Sequence, residues 1–384
     1  MLIKAWDADG HVSESEVTFS DKYWEPKLKN RRPRVIEVDP DGPLFWMIDT
    51  RSFPVRTGPF QQAGFPLSKN GVPAKVTPGI HPKDPVESAE LRSAAMRLNQ
   101  LDRENTEIQV LYPTMFLSYP ITFDPELGVA MMRAYNSWIA DITSQAPDRL
   151  KWVTIVDPID PKASVKEIER TREMGSVGIM LLGMTGDWRI DDPRMEPIWA
   201  AAAEAKLPVA VHTGHSFRAL GYVNDTHHDK TTMSFWLTVQ FAFQRVISKG
   251  IADRYPDLRI AFLEAGCSWV PGLVERISDY SGFPDARAGL DFRRGYEAKH
   301  LPKEYIQRGQ IYFGFEVDEK LLPHAIEEFG DECWLYGSDI PHGDRLFNAV
   351  NVFLQRKDVS EESKQKMLVD NVARFYGLPL PSAA

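Results

Sequence analysis

The sequence predicts a TIM barrel, a closed ring of eight parallel β/α units, on the basis of three observations. Eight short runs of apolar residues begin near positions 2, 108, 150, 178, 207, 259, 311 and 333. Stretches with helical periodicity separate most of these runs, as the β/α repeat of a parallel sheet requires. Several runs end in acidic or histidine residues, and a barrel would gather these at one face because the carboxyl ends of its strands meet there.

A single domain over residues 1–384 accommodates this fold together with two insertions. From about residue 20 to 87 the chain is rich in Pro, Gly and charged residues with scattered aromatic side chains, so we expect an irregular, lid-like insertion after the first strand. A second irregular insertion is expected at about residues 281–305, before the seventh strand. An open α/β sheet is the alternative fold, but it would spread the polar strand ends along an edge.

The charge and composition of the chain limit its partners. The formal net charge is -9 and no stripe of Lys and Arg offsets it, which argues against nucleic acid or an anionic membrane as the main partner. Two cysteines are too few for a disulfide scaffold. No charged leader and no apolar run of about 18 residues is evident, so we expect a soluble, cytoplasmic protein that acts on a small molecule.

The first strand ends in an alternating set of polar donors. Asp7, Asp9 and His11 would share one face, because successive side chains of a strand point to opposite faces. Asp9 and His11 can chelate one cation, although taken alone they are equally well explained as residues that close the strand. Asp7 is a candidate for hydrogen-bond support of these donors.

Three later strands end in further donors. His212 follows the fifth strand, Glu264 the sixth and Asp339 the eighth. Together with Asp9 and His11 they make a set of imidazoles and carboxylates without cysteine, which is typical of Zn, Mn or Fe sites. The sequence therefore predicts a divalent-metal site at the mouth of the barrel, with Asp339, His212 and Glu264 as its catalytic group.

Four other residues are candidates for a second metal or for supporting contacts. They are His215 shortly after the fifth strand, His228 in a polar loop, Glu316 at the end of the seventh strand and His342 just past Asp339. Each also has a plainer explanation, as a cap, a solvated loop residue, an exposed turn residue or a rim residue respectively. Glycine-rich phosphate loops and the Gly-x-Ser-x-Gly motif are absent from the sequence, which argues against nucleotide-dependent and serine-based catalysis.

These motifs resemble a known family, the amidohydrolase-related branch of the metal-dependent amidohydrolase superfamily. The resemblance is carried by residues 7–11, 110–114, 211–214, 263–266 and 337–341. It implies that the family's first-strand ligand pair falls on Asp9 and His11, its fifth-strand ligand on His212 and its eighth-strand aspartate on Asp339. The family usually places a histidine on the sixth strand, and this chain departs from it with Glu264.

The resemblance implies a metal-dependent enzyme acting on a small organic acid, with an aromatic or apolar substrate, by hydrolysis or by non-oxidative decarboxylation. In the hydrolase the metal would activate water and Asp339 would take its proton, whereas in the decarboxylase the metal would hold a carboxylate or hydroxyl of the substrate. The superfamily also contains nonheme diiron monooxygenases, so two irons bridged by Glu264 and acting on an apolar acid or thioester are the alternative. A barrel that only binds a ligand is the third reading. A homodimer is common in the family resembled.

Overall fold

The computed structural model describes residues 3–37, 44–54, 84–118, 120–224, 227–284, 286–287, 293–343 and 345–380. Its main sheet has eight strands whose spatial order is their chain order, each pairing in parallel with the next. With strand labels running along the whole chain, the eight are β1 (Ala5–Val12), β5 (Thr106–Pro113), β6 (Leu150–Ile155), β7 (Gly178–Leu182), β10 (Val209–His212), β11 (Ile260–Leu263), β12 (Ile311–Phe315) and β13 (Trp334–Tyr336). The predicted TIM barrel is confirmed.

Backbone hydrogen bonds close the ring between its first and last strands. The amide of Asp339 donates to the carbonyl of Asp9 over 3.0 Å, and the amide of His11 donates to the carbonyl of Ile340 over 2.6 Å. The strands are rich in β-branched and aromatic residues and are almost entirely buried, as expected for strands covered on both faces. The first and last candidate ligands of the chain are thereby held side by side.

Helices surround the barrel and cover its apolar outer face. They are α1 (Val86–Ala89), α2 (Ala94–Arg103), α3 (Pro125–Thr143), α4 (Pro161–Glu173), α5 (Glu196–Ala205), α6 (Arg218–Val223), α7 (His227–Asp229), α8 (Phe235–Ser248), α9 (Ile251–Arg254), α10 (Val270–Asp279), α11 (Pro302–Gln307), α12 (Leu322–Phe329), α13 (Ala349–Leu354), α14 (Glu361–Gln365) and α15 (Asn371–Tyr376). Every helix in the described part of the chain is too short or too polar to cross a lipid bilayer.

Short 3₁₀ and π-helical segments complete the helical structure. The 3₁₀ segments are Pro26–Arg31, Met115–Ser118 and Pro193–Met195, and the π segments are Lys230–Ser234 and Lys366–Asp370. An aromatic cluster fills the space between α8 and the barrel, where the ring of Phe243 contacts those of Phe262, Phe313 and Trp269 at centroid distances of 5.2 to 5.6 Å. This packing holds the strands in place from outside the barrel. The carboxyl ends of the strands are not needed for it and can carry polar residues.

The insertion after β1 is more regular than the sequence predicts. Its described part contains an antiparallel sheet of β2 (Arg34–Glu37), β3 (Leu44–Ile48) and β4 (Arg51–Pro54). Trp46 on β3 is buried and packs edge-to-face on Phe19 at 5.6 Å. The alternation that builds this sheet is short and lies among many charged residues, so the sequence pattern does not indicate strands there. Residues 38–43 and 55–83 lie outside the described residues, so a lid there stays a prediction.

Two smaller features lie later in the chain. A hairpin of β8 (Met184–Thr185) and β9 (Trp188–Arg189) follows β7. In the second predicted insertion, residues 281–284, 286–287 and 293–301 carry none of the named helices or strands, and α11 begins only at Pro302.

Candidate metal centre

Two groups of side chains that could hold a metal ion lie at the carboxyl ends of the barrel strands. Asp9, His11 and His212 form one group, and His11, Asp339 and His342 form the other, with the donor atoms of each group within 4.8 Å of one another. His11 belongs to both groups. The structure thus gathers residues from β1, β10 and the segment after β13 into a single cluster, in the place where a barrel collects its functional residues.

The hydrogen bonds of two histidines leave one nitrogen of each facing the cluster. His11 Nδ1 lies 2.9 Å from the carbonyl oxygen of Pro113, and His212 Nδ1 lies 3.0 Å from that of Thr213. A carbonyl oxygen can only accept, so each Nδ1 carries a proton, and Nε2 is the nitrogen that a metal ion could reach. This arrangement is the usual one for a metal-binding imidazole, whose other nitrogen is held by an acceptor.

The spacing of the inward-facing atoms fits a shared cation. Asp9 Oδ1 lies 3.1 Å from His212 Nε2 and 3.4 Å from His11 Nε2, and Asp339 Oδ1 lies 3.5 Å from His11 Nε2. Two donors that each stand about 2.1 Å from one ion are about 3 to 3.5 Å apart. Among the described residues, His11 Nε2 is fully buried without a hydrogen-bond partner, which is costly unless an ion or a proton meets it. These residues fit a divalent metal.

His342 lies beside the carboxylates of Asp339 and Glu264. Its Nδ1 contacts Asp339 Oδ1 and is 3.9 Å from Glu264 Oε1, while its Nε2 is 2.9 Å from the hydroxyl of Thr114. The ring stacks on His11 with centroids 4.2 Å apart. Since both nitrogens of His342 have hydrogen-bonding neighbours, it is better placed to hold a proton than to bind a metal directly.

Glu264 occupies the far side of His212. Its Oε2 accepts a hydrogen bond of 2.6 Å from the Thr213 hydroxyl and lies 3.4 Å from His212 Nδ1, the nitrogen that faces away from Asp9. In this position the carboxylate orients His212 and reaches towards His342. It lies outside the two groups of donors, so its predicted role as a metal ligand stays a prediction.

The two strand-end carboxylates share an unusual backbone conformation. Glu264 and Asp339 have φ values of 54° and 55°, in the left-handed region that few residues with a side chain adopt. Strain of this kind is stored at functional sites and persists only where the surroundings enforce it.

Asp7 enforces it on the Asp339 side by joining β1 to the last strand end. Its buried carboxylate accepts from the amides of Asp9 (3.1 Å) and Ser338 (2.9 Å), and from the Ser338 hydroxyl. Gln109 also donates to it over 2.6 Å, and Arg97 in turn donates to Gln109 and to the His11 carbonyl. Asp7 thereby links the backbone of Asp9 to the last strand end, and its supporting role at a metal site stays a prediction.

The charges of the cluster are strongly coupled. Burial, aided by the nearby His342, lowers the pKa of His11 to about 4, so that ring is neutral. Burial opposes the charge on His212, but the neighbouring carboxylates of Asp9 and Glu264 outweigh it and raise the pKa to about 9. In turn, the His212 charge overcomes burial and holds the pKa of Asp9 well below its usual range. A metal ion would take the place of the proton that His212 holds.

The remaining candidates lie further out. His215 is half-buried, with its ring 5.0 Å from that of Phe235 and its amide donating to Leu117. His228 is exposed in α7. Glu316 follows β12 and its side chain is exposed to solvent. None of the three belongs to the two groups of donors in the described structure.

Comparison with known proteins identifies the family of this chain. The family model described as amidohydrolase matches residues 76–378. A 2-amino-3-carboxymuconate-6-semialdehyde decarboxylase from Dictyostelium discoideum is 26% identical over 297 residues, covering 74% of this chain and 76% of that protein.

Solved structures share the fold at lower identity. An amidohydrolase from Mycobacterium avium subsp. paratuberculosis K-10 superimposes with a TM-score of 0.77, 19% identity and 99% coverage of both chains. A 5-carboxyvanillate decarboxylase from Novosphingobium aromaticivorans, solved with manganese and 3-methoxy-4-hydroxy-5-nitrobenzoic acid, superimposes with a TM-score of 0.66 at 20% identity, covering 76% of this chain and 83% of that chain. With most of its length matched by the family model, this chain belongs to the amidohydrolase family and is an enzyme of that family.

Proposed function

We propose that the protein is a divalent-metal-dependent decarboxylase of a small aromatic or conjugated carboxylic acid. A bound metal ion is inferred from the buried Nε2 of His11. This atom faces Asp9 and Asp339 and has no hydrogen-bond partner among the described residues. The reaction class rests on the relatives, since the semialdehyde decarboxylase and the manganese-containing carboxyvanillate decarboxylase both remove a carboxyl group from an unsaturated acid. Manganese, zinc and iron all suit such donors.

Asp9, His11, His212 and Asp339 would hold the ion. When bound, it would supply positive charge to the carboxylate or hydroxyl oxygens of the substrate and to the charge that develops as carbon dioxide leaves. All four donors are oxygen or imidazole nitrogen, and three of the four are buried.

Decarboxylation breaks a carbon–carbon bond, leaves the electron pair on the ring or chain carbon and needs a proton to replace the carboxyl group. His342 and Asp339 form the pair that can provide it, because the proton on His342 Nδ1 is shared with the Asp339 carboxylate and Thr114 fixes the other nitrogen. The family's usual histidine on the sixth strand is absent here. We infer that His342, which reaches the same cluster from the segment after β13, supplies the imidazole instead.

The direct test is release of carbon dioxide from a panel of hydroxybenzoates, carboxyvanillate and 2-amino-3-carboxymuconate semialdehyde, with Mn²⁺ present and oxygen excluded. We expect turnover of at least one acid without oxygen, loss of turnover on chelation and recovery on adding Mn²⁺. His342→Gln should lower kcat by about 100-fold or more, within the usual contribution of a general acid. Turnover of esters or amides alone would establish hydrolysis instead.

The comparisons offer no support for the diiron oxygenase, because the relatives found are decarboxylases and amidohydrolases. The same panel separates the two chemistries. Oxygen consumption coupled to turnover, with two irons per chain by elemental analysis, would replace the decarboxylase by the oxygenase.

A further inference from the structure

A second carboxylate that accepts several backbone amides is the half-buried Glu319. The carboxylate of Glu319, on the segment after β12, accepts the amide of Cys267 over 2.9 Å and the amide of Ser268 over 3.2 Å. It also accepts the amide of Glu316 over 2.9 Å. One side chain thus ties the loop after β11, which carries Glu264, to the loop after β12.

The loop after β11 is shaped to receive this carboxylate. Gly266 has a φ of 65°, and a Cβ added there would come within 2.6 Å of Glu319 Oε1. A residue with a side chain would be strained by that φ and would collide with the carboxylate. Glu319 itself is fixed, because Arg356 donates to its carbonyl over 2.8 Å and to that of Val317 over 2.9 Å.

The strained backbone at Glu264 requires contacts that hold it in place. A residue at a φ of 54° returns to an ordinary conformation unless neighbouring contacts prevent it, and such strain costs about 1 to 3 kcal/mol. Amides that donate to a charged carboxylate make stronger hydrogen bonds than amides that donate to a neutral group. Two of the three amides held by Glu319 lie three and four residues after Glu264, and the third directly follows Phe315. They therefore anchor the loop that begins at Glu264.

We propose that Glu319 is a positioning residue that holds Glu264 against His212 and His342. Through it, the carboxylate of Glu264 keeps its 2.6 Å hydrogen bond to Thr213 and its approach to His212 Nδ1. Glu319 does not touch the metal or the substrate. The inference concerns the metal centre alone and is independent of which acid the enzyme decarboxylates.

The test is a double-mutant cycle with Mn²⁺ affinity as its readout, measured by electron paramagnetic resonance of the free ion. Glu319→Gln keeps the size of the side chain but removes its charge. It also replaces one acceptor oxygen by an NH₂ group, which cannot accept hydrogen bonds from the backbone amides of Cys267 and Ser268. We expect it to weaken Mn²⁺ binding about tenfold, within the range for residues that support metal ligands. In the Glu264→Gln background the same change should have less than a twofold effect, because the residue it positions is already altered.

Two further variants keep the result interpretable. Gly266→Ala, which drives a Cβ towards the same carboxylate, should reproduce the loss if Glu319→Gln folds poorly. Asp124→Asn is the matched control, since Asp124 also accepts two amides, of Glu126 (3.0 Å) and Leu127 (3.1 Å), but at the start of α3, away from β11. It should leave Mn²⁺ affinity unchanged.

A crystal structure of Glu319→Gln gives a second, direct readout. Loss of the Glu264–Thr213 hydrogen bond and a return of the Glu264 φ to negative values are expected. The inference is overturned if Glu264 keeps both features, if Mn²⁺ affinity stays within twofold of the parent, or if Glu319→Gln weakens it equally in both backgrounds.

Discussion

The mouth of the barrel has two unlike halves. On one half, β1, β10, β11 and β13 end in Asp9 and His11, His212, Glu264 and Asp339, respectively. On the other, β5, β6 and β7 are followed by a small cavity of about 20 Å³ whose mostly apolar lining includes Phe116, Val156, Met180 and Leu182.

The halves also differ in backbone conformation. Glu264 and Asp339 are held at positive φ on the polar half, whereas the described residues that end β5, β6 and β7 have none. Each strained strand end on the polar half lies beside a carboxylate that accepts amides, Asp7 for one and Glu319 for the other. At these strand ends, the strained backbone therefore coincides with the polar residues of the candidate site, whereas the adjacent half ends in an unstrained backbone.

The largest effect expected is from removing a donor on the polar half. His212→Ala takes away the Nε2 that faces Asp9, so Mn²⁺ binding should weaken by more than about 100-fold and turnover should disappear. The fold should persist, because the apolar strands and helices hold it. Elemental analysis and thermal unfolding check the two statements.

His215→Ala is the control for that experiment. It removes a histidine that follows the same strand but packs on Phe235 instead of facing Asp9. Full metal occupancy in His212→Ala, or equal losses in the two variants, would show that β10 has been misinterpreted.

A smaller effect is expected from the support beneath the donors. Asp7→Asn keeps the shape of the side chain but replaces an acceptor oxygen by an amide donor between Ser338 and Gln109, so Mn²⁺ affinity should fall about 10-fold to 100-fold. Titration with Mn²⁺ measures it. Asp160→Asn, which alters an acceptor that caps α4, should bind Mn²⁺ as the parent does, and a matching loss there would refute a local role for Asp7.

The smallest effect on metal binding is expected on the other half, where Asp157→Asn should leave Mn²⁺ affinity unchanged but alter stability with pH. Burial raises the pKa of Asp157 from 3.8 to about 7, and its Oδ2 has no hydrogen-bond partner among the described residues. A carboxyl with a raised pKa stabilises the fold while protonated, so the parent should lose stability as the pH rises from about 4 to 7. The variant should lack that loss, which amounts to about 4 kcal/mol.

Urea unfolding of the parent and of Asp157→Asn at pH 4 and pH 8 measures the difference. Parallel stability curves for the two proteins would contradict the assignment. A change in the Mn²⁺ affinity of Asp157→Asn would show that metal binding does not depend on the polar half of the mouth alone.

The barrel and its four strand-end donors could be predicted because both follow from local pattern. His212 ends a buried apolar run, and Asp9 and Asp339 each lie within three residues of a buried aromatic residue of their strand. A closed barrel brings such positions together wherever they lie in the chain. The fold class is confirmed, and the structure brings these residues together with His11.

The sequence names His342 as a candidate because it lies just past Asp339, but the contact between the two side chains could not be predicted in the same way. Its contact with Asp339 depends on a turn in which the His342 amide donates to the Asp339 carbonyl over 2.7 Å, beginning from an aspartate at positive φ. No residue pattern announces that conformation. The contacts of Glu319 could not be predicted for a similar reason. Its hydrogen-bond partners are backbone amides, and these have no signature in the sequence.

The closure of the barrel by β1 bears on the order in which the protein can mature. Asp7 and Ser338 are 331 residues apart, yet they are hydrogen-bonded, and Asp9 pairs with the backbone of Asp339. On the ribosome the first strand is made long before its last partner, so one of its edges stays unpaired until nearly the whole chain has emerged. The candidate metal centre can therefore form only late in synthesis. A nascent chain that stops short of residue 339 would have an unpaired strand edge and an incomplete set of ligands.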